Sequence, residues 1–273
     1  MTNAQPAQSR TLPRDGADLW YEVAGTGPPL LILSAGLDGA AASAPMVEHL
    51  DDRFTTIRYD RRGVGRSRFE EASPAAGYSL ANHADDAAAI IADVSSVPAF
   101  IFGASIGALV GIELLTRHPT IVRAAVLHEP PLELIVTDPN RSASLDDVAE
   151  RALSDVIDAA RGFGQIVRSG DIREPAAPTP ARPENAELTL RDFFATDFQA
   201  VRDFQVPTQS LRSVADKLTI TAGSHSAGRF EALCSAELAA LLNLRLTTLP
   251  TGHNPSTDFP HATAEFLRGI WDS

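Results

Sequence analysis

Gly103-Ala104-Ser105-Ile106-Gly107 directly follows an apolar run at residues 99–102 and opens an apolar pattern with helical spacing at residues 106–117. A G-x-S-x-G pentapeptide between a strand and a helix is typical of a nucleophile elbow, a sharp turn that exposes the serine hydroxyl above a sheet. The glycines suit this turn because bulkier residues would collide with the neighbouring strand and helix. We therefore predict that Ser105 is a nucleophile. The alternative is a glycine-rich turn in which Ser105 only caps the helix.

The rest of the chain alternates short apolar runs with helical patterns, which is typical of an α/β fold with a mostly parallel sheet and crossover helices. Strands are predicted at residues 18–23, 30–33, 55–59, 99–102, 124–128, 217–222 and 245–249. The alternation stops at about residues 131–213, where helical patterns flank a proline-rich link and predict an inserted helical lid. Residues 1–9 are predicted as a flexible tail and residues 10–273 as a single domain.

The charge and the cysteine count narrow the classes of partner. The formal net charge is -12, and an acidic surface repels phosphate backbones and anionic lipid heads, so we predict neither nucleic acid nor membrane as a partner. The single cysteine, Cys234, favours a cytoplasmic location. The sequence has no metal-binding or dinucleotide-binding motif, so no metal and no cofactor is predicted. The sequence leaves open whether the protein forms a homodimer.

A serine hydroxyl needs a base to take its proton, and an acyl-transfer site needs donors for the developing oxyanion. Of seven histidines, His253 alone follows the last predicted strand in a loop, and it is predicted as the base. The backbone N–H groups of Ile106 and Leu37 are predicted as the oxyanion donors, with Gly36 letting the backbone turn inward. Asp38 either touches the substrate or caps the helix that follows.

These features resemble the α/β-hydrolase superfamily over nearly the whole chain, from about residue 10 to residue 271. The resemblance is carried by Asp60-Arg61-Arg62-Gly63-Val64-Gly65-Arg66-Ser67, by the pentapeptide at 103–107 and by Gly252-His253. Leu127-His128-Glu129-Pro130-Pro131 further resembles a bacterial branch of esterases and hydrolases. The resemblance implies an eight-stranded sheet, a lid after the sixth strand and a Ser–His–acid triad. It also implies that Asp60 and the arginines beside it hold a loop next to the elbow.

The acid of the triad is missing from the place that the resemblance implies. The loop after the penultimate predicted strand reads Gly223-Ser224-His225-Ser226-Ala227-Gly228 and contains no carboxylate. Three interpretations stay open. In the first, Glu129, at the end of the strand at 124–128, is the acid. In the second, the serine and histidine act as a dyad, and His225 or a backbone carbonyl holds the imidazole ring. In the third, hydrolysis has been replaced by other chemistry, in which His225 is an acid or base of its own.

The predicted lid offers aromatic side chains for an apolar roof over the site. The residues predicted to contact the substrate are Gly36, Asp38, Phe163, Phe194, Phe198 and His225. An apolar roof favours a small hydrophobic ester, lactone or other carbonyl compound, although such aromatics also pack a lid onto a body. The first functional hypothesis is hydrolysis of a carboxylic ester or lactone through an acyl-enzyme. The second is a lyase or cyclase in small-molecule biosynthesis, and the third is a non-catalytic binder.

Overall fold

The computed structural model describes residues 7–70, 78–167, 172–179 and 184–271, and within these ranges eight strands form one sheet. The strands are β1 (Gln8–Arg14), β2 (Ala17–Ala24), β3 (Pro29–Leu33), β4 (Thr55–Tyr59), β5 (Ala99–Ala104), β6 (Val122–His128), β7 (Leu218–Gly223) and β8 (Thr247–Leu249). Their order across the sheet is β1-β2-β4-β3-β5-β6-β7-β8. The pairs β1–β2 and β2–β4 are antiparallel and the other pairs are parallel. This sheet confirms the predicted fold class.

Helices cover both faces of the sheet. The α-helices in the described ranges are α1 (Ala44–Val47), α2 (Leu80–Val94), α3 (Ile106–Arg117), α4 (Pro139–Ala152), α5 (Val156–Val167), α6 (Ala186–Ala195), α7 (Asp197–Arg202), α8 (Thr208–Arg212), α9 (Phe230–Leu242), α10 (Pro255–Asp258) and α11 (Pro260–Trp271). Apolar residues of α2, α3 and α9 share one core cluster, and those of α1 and α11 share a second on the opposite face. No helix of the described ranges has the length and apolarity needed to cross a bilayer.

The central strand β5 lies between β3 and β6. Every residue of β3 and β5 is buried, which explains why both sequences are continuous apolar runs rather than alternating patterns. Because the carboxyl ends of parallel strands meet at one edge of a sheet, the residues that follow β3, β5, β6, β7 and β8 come together there. The candidate functional residues lie at that edge.

The edge strand β1 corrects the predicted N-terminal tail. β1 begins at Gln8, so residues 8 and 9 belong to the sheet and not to the tail predicted at 1–9, of which residues 1–6 lie outside the described ranges. Among the described residues β1 pairs with β2 alone, and most of its side chains are exposed. Apart from Leu12, which packs partly against the core, this edge strand buries no apolar side chain. Its sequence, Gln-Ser-Arg-Thr-Leu-Pro-Arg, therefore has no alternating pattern by which to recognise it.

Between β6 and β7 the chain forms helices α4 to α8, at the position predicted for the lid. We call residues 131–213 the helical insertion. Helix α4 starts at Pro139, where the Asp138 side chain accepts hydrogen bonds from the first backbone N–H groups of the helix. Apolar residues of α4, α5, α6 and α7 form a small core cluster of their own.

Candidate active site

Ser105 lies in the turn between β5 and α3 with φ at +54° and ψ at −124°. Such a backbone conformation costs a non-glycine residue about 1–3 kcal/mol, so the surrounding packing must hold it. A Cβ atom on Gly107 would lie 2.1 Å from the Leu33 carbonyl oxygen, and one on Gly103 would lie 2.5 Å from the Gly107 carbonyl oxygen. The Ser105 side chain makes no capping hydrogen bond, which excludes the alternative that it only caps the helix.

His253 follows β8 and brings its imidazole to Ser105. The distance from His253 Nε2 to Ser105 Oγ is 3.2 Å. The histidine is largely buried, with 6% of its surface exposed. A neutral imidazole at this distance can accept the serine proton as the hydroxyl attacks.

Glu129 holds the other side of the imidazole. It follows β6, is fully buried and has φ at +49°. Its Oε2 atom lies 2.8 Å from His253 Nδ1. Its Oε1 atom accepts hydrogen bonds from the Gly223 backbone N–H, at 2.8 Å, and from the Ser226 hydroxyl. A carboxylate therefore lies after β6 where the resemblance implies one after β7, and the β7 loop supplies hydrogen-bond donors to it.

The pKa values of Glu129 and His253 move in opposite directions. Burial would raise the pKa of Glu129. Two effects outweigh burial and lower this pKa to about 2: the hydrogen bonds that Glu129 accepts from His253 and Ser226, and the electrostatic effect of the nearby His128 and His253 rings. Burial would lower the pKa of His253, but its hydrogen bond with Glu129 outweighs that effect and raises it. The carboxylate therefore stays ionised and stabilises a protonated His253, as the acid of a triad does.

His128, which the sequence analysis did not single out, supports this arrangement. Its Nε2 atom donates to the Gly252 carbonyl oxygen and its Nδ1 atom accepts from the Thr221 hydroxyl, both at 3.0 Å. Burial lowers the pKa of His128 to about 4, so the ring is neutral. It fixes the backbone that precedes His253. The only sequence signal was a polar residue at the end of an otherwise apolar strand.

His225 corrects one of the sequence predictions. It is exposed and stacks on Phe259, with ring centroids 5.4 Å apart. It does not line the cavity that contains Ser105. The 3-10 turn at Ser224–Ser226 directs Ser226 inward to Glu129 and leaves His225 outside. His225 is therefore neither a substrate contact nor the group that orients His253.

The loop after β3 is held by buried Arg61. The Arg61 guanidinium donates to the Ser34 carbonyl oxygen at 2.9 Å and to the Gly36 carbonyl oxygen. It also lies 3.6 Å from the Asp197 carboxylate of α7, which links the loop to the helical insertion. Gly36 has φ at +29°, a left-handed value that suits glycine. Leu37, Ile106 and Gly36 all line the cavity at Ser105.

Asp38 also lines this cavity and caps no helix. The short 3-10 helix that follows begins after Gly39, which excludes the capping alternative. Burial raises the pKa of the Asp38 carboxyl to about 6, although Arg61 opposes the shift and Asp258 adds to it. Asp38 is therefore placed at the cavity wall as predicted for a substrate contact.

The cavity has a volume of about 230 Å³ and opens onto Ser105 and His253. Phe163 and Phe198 line it, and so does Phe193, which the predicted set of contacts did not include. Phe194 does not line it; its ring packs on Phe193 and Phe198, with centroids 5.3 Å from each. Helical spacing turns neighbouring residues of α6 to different sides, and the sequence alone did not indicate which one faces the cavity. Within the described ranges, no group of three or more His, Cys, Asp or Glu residues could hold a metal ion.

Comparison with known proteins shows the family to which this chain belongs. The model of the α/β-hydrolase-fold family matches residues 28–164. An uncharacterized hydrolase of Bacillus subtilis, YraK, is 28% identical over 267 residues, which cover 95% of this chain and 94% of YraK. The 2-(acetamidomethylene)succinate hydrolase of Mesorhizobium japonicum is 34% identical over 102 residues, which cover 37% of this chain and 35% of that protein. A crystal structure of a hydrolase from Pseudomonas aeruginosa superposes with a TM-score of 0.74 at 23% identity, covering 97% of this chain and 98% of that one.

Proposed function

Since this chain belongs to the α/β-hydrolase family, we propose that it hydrolyses a carboxylic ester or lactone of a small hydrophobic molecule through an acyl-enzyme on Ser105. One observation carries the proposal. A continuous path of polar contacts runs from Ser105 Oγ to His253 Nε2, at 3.2 Å, and from His253 Nδ1 to Glu129 Oε2, at 2.8 Å. It supplies the nucleophile, the base and the orienting acid that acyl transfer needs.

The proposed reaction has two halves. Ser105 Oγ attacks the carbonyl carbon while His253 Nε2 takes its proton, and the backbone N–H groups of Ile106 and Leu37 stabilise the negative oxygen of the tetrahedral intermediate. The intermediate collapses, the C–O bond to the alcohol breaks, and His253 returns the proton to the leaving oxygen. Water then attacks the acyl-enzyme with His253 again as the base, which releases the acid and restores the Ser105 hydroxyl.

The cavity wall supports the substrate class. Phe163, Phe193 and Phe198 line it, and a volume of about 230 Å³ suits a small apolar acyl or alcohol group. The lyase or cyclase alternative rested on the absence of a carboxylate after β7. Because Glu129 bonds to His253 from the end of β6, no specific observation favours that alternative. We also keep a cytoplasmic location as a proposal, which the single cysteine supports.

Turnover of activated esters tests the proposed function. The purified protein is incubated with p-nitrophenyl acetate, butyrate and octanoate and with a γ-lactone, and product release is followed against buffer. We expect turnover of at least one ester, with the highest kcat/KM for an acyl chain that fills the cavity. No turnover of any ester or lactone would contradict the proposal. Labelling of Ser105 by a fluorophosphonate without turnover would instead favour a lyase or cyclase.

The pH dependence of kcat/KM tests the role of His253. The base must be neutral to take the proton of Ser105. Since the pKa of His253 lies above its ordinary value of 6.5, we expect activity to fall as the pH drops through a midpoint above 6.5. A Glu129→Gln variant removes the largest effect that raises this pKa, so the midpoint of its residual activity should move to lower pH. A midpoint that stays in place would show that Glu129 does not act on His253.

A further inference from the structure

A buried cluster of three charged side chains lies in the wall of the same cavity. Arg141, on α4, donates from Nε to Glu133 Oε1 at 2.9 Å and from Nη2 to Glu231 Oε1 at 2.8 Å. The side chains of Arg141, Glu133 and Glu231 are only 8%, 13% and 4% exposed. All three residues line the cavity that contains Ser105 and His253. We call Glu133, Arg141 and Glu231 the charged cluster.

The charged cluster is negative as a whole. Two carboxylates share one guanidinium, so one negative charge is left uncompensated within the cluster. The Arg141 guanidinium also makes a cation–π contact with Phe230, 4.0 Å from the centre of the ring. A guanidinium that already binds two carboxylates is a poor site for a third, because a ligand carboxylate would meet two negative charges for each positive one.

The other charged residues of the cavity do not reverse this sign. Arg202 lines the cavity as well, but it is paired with the Asp146 carboxylate at 2.6 Å. Asp38 also lines the cavity and adds a further negative charge whenever its carboxyl is ionised. His253 is matched by the Glu129 carboxylate. An anionic substrate therefore finds no unmatched cation among the described residues of the wall.

The field of the charged cluster reaches the catalytic base. Burial lowers the pKa of His253 and the hydrogen bond with Glu129 raises it; the Glu231 charge adds to the rise and Arg141 opposes it. Charges that act on His253 also act on a substrate bound between His253 and Ser105. A carboxylate near the scissile carbonyl would be repelled, whereas a neutral group would not be.

We propose that Glu133, Arg141 and Glu231 determine substrate specificity, so that the cavity accepts uncharged or cationic ester substrates and rejects those that carry a carboxylate. This inference rests on the proposed function and names its substrate class more closely. Glu133 and Glu231 act by repulsion, and Arg141 holds both carboxylates at the wall. The cluster is thus a filter against anions, although it contains an arginine of the kind that often binds them.

Two esters that differ in charge alone test the filter. Mono-p-nitrophenyl succinate carries a free carboxylate, and p-nitrophenyl methyl succinate has the same acyl skeleton with that group methylated. The spontaneous release of p-nitrophenol, which the free carboxylate accelerates by intramolecular attack, is subtracted from each rate, and the two kcat/KM values are then compared directly. We expect the native protein to favour the methyl ester at least about tenfold.

Variants of the two carboxylates make the test specific. Glu231→Gln and Glu133→Gln each remove one negative charge and leave Arg141 a single partner, so each should raise relative activity on the free carboxylate about tenfold. The kcat/KM for the free carboxylate should itself rise, and a damaged fold cannot imitate such a gain of activity. Glu133 is the less buried of the pair, so Glu133→Gln still tests the filter if Glu231→Gln does not fold. The control is Glu187→Gln, at an exposed residue of α6 paired with Arg191, which should not change the ratio.

Three outcomes would overturn the inference. The native protein could prefer the free carboxylate, the two esters could react equally, or the ratio could stay unchanged in both carboxylate variants. In each case the ester is still hydrolysed, so the proposed function survives. If neither succinate ester and no ester of the uncharged series were hydrolysed, both the proposed function and this inference would be contradicted.

Discussion

A Glu129→Gln variant is expected to lose about four orders of magnitude in kcat, with KM close to that of the native protein. The amide matches the carboxylate in shape but carries no charge, and its NH₂ group can impose the wrong tautomer on His253. An Asp-to-Asn change at the corresponding position of a serine protease lowers kcat about 10⁴-fold. Steady-state kinetics on the best p-nitrophenyl ester measures this loss. KM should change little because Glu129 contacts His253 and not the cavity.

The control must separate catalysis from folding, because Glu129 also accepts hydrogen bonds from Gly223 and Ser226. Thermal unfolding and the circular dichroism spectrum are compared with those of Glu187→Gln, an exposed change of the same chemistry. A folded Glu129→Gln protein with native kcat would show that the carboxylate only anchors the β7 loop. In that case a dyad of Ser105 and His253 would explain the activity.

A Gly107→Ala variant is expected to lose about 3 kcal/mol or more of stability, together with nearly all activity. The added Cβ atom would lie 2.1 Å from the Leu33 carbonyl oxygen, so α3 has to move away from β3. Overpacking of a rigid core typically costs about 1–3 kcal/mol, and backbone atoms yield less readily than a flexible side chain. The same shift displaces Ser105 from His253. Chemical denaturation gives the change in the free energy of unfolding.

Gly269→Ala is the matched control for this change. Gly269 lies in α11 and an added Cβ atom would have no heavy atom within 4 Å. Alanine favours a helix over glycine by about 1 kcal/mol, so this variant should be as stable as the native protein or more stable. If Gly107→Ala were as stable and as active as Gly269→Ala, the close approach of α3 and β3 would not be what shapes the elbow.

The features of the fold that were predicted best are those that depend on residues close together in the sequence. The bounds of α3 were predicted correctly from apolar spacing, and buried strands such as β3 and β5 show as apolar runs. The placement of His253 beside Ser105 also followed, because chain order and strand order together bring the ends of β5 and β8 to one edge. The edge strand β1 could not be found, since its exposed side chains leave no pattern.

The remaining features depend on three-dimensional packing. Glu129 could be named only as one alternative, because its role requires β6 and β7 to be neighbours and a left-handed φ of +49° that turns its carboxylate to His253. Three-dimensional packing also decides that Phe193 lines the cavity and that Phe194, which was predicted to contact the substrate, does not. His225 stands where an acid was expected, yet a short turn leaves it outside. A pattern of residue types does not state which way a loop side chain points.

Peptide mapping after reaction with a fluorophosphonate tests the central claim most directly. Mass spectrometry of the intact protein should show one adduct per chain, and tandem mass spectrometry should place it on Ser105. A Ser105→Ala variant should take up no label, and His253→Ala should be labelled far more slowly. An adduct on another residue, or a Ser105 that stays unmodified while esters are hydrolysed, would contradict the account.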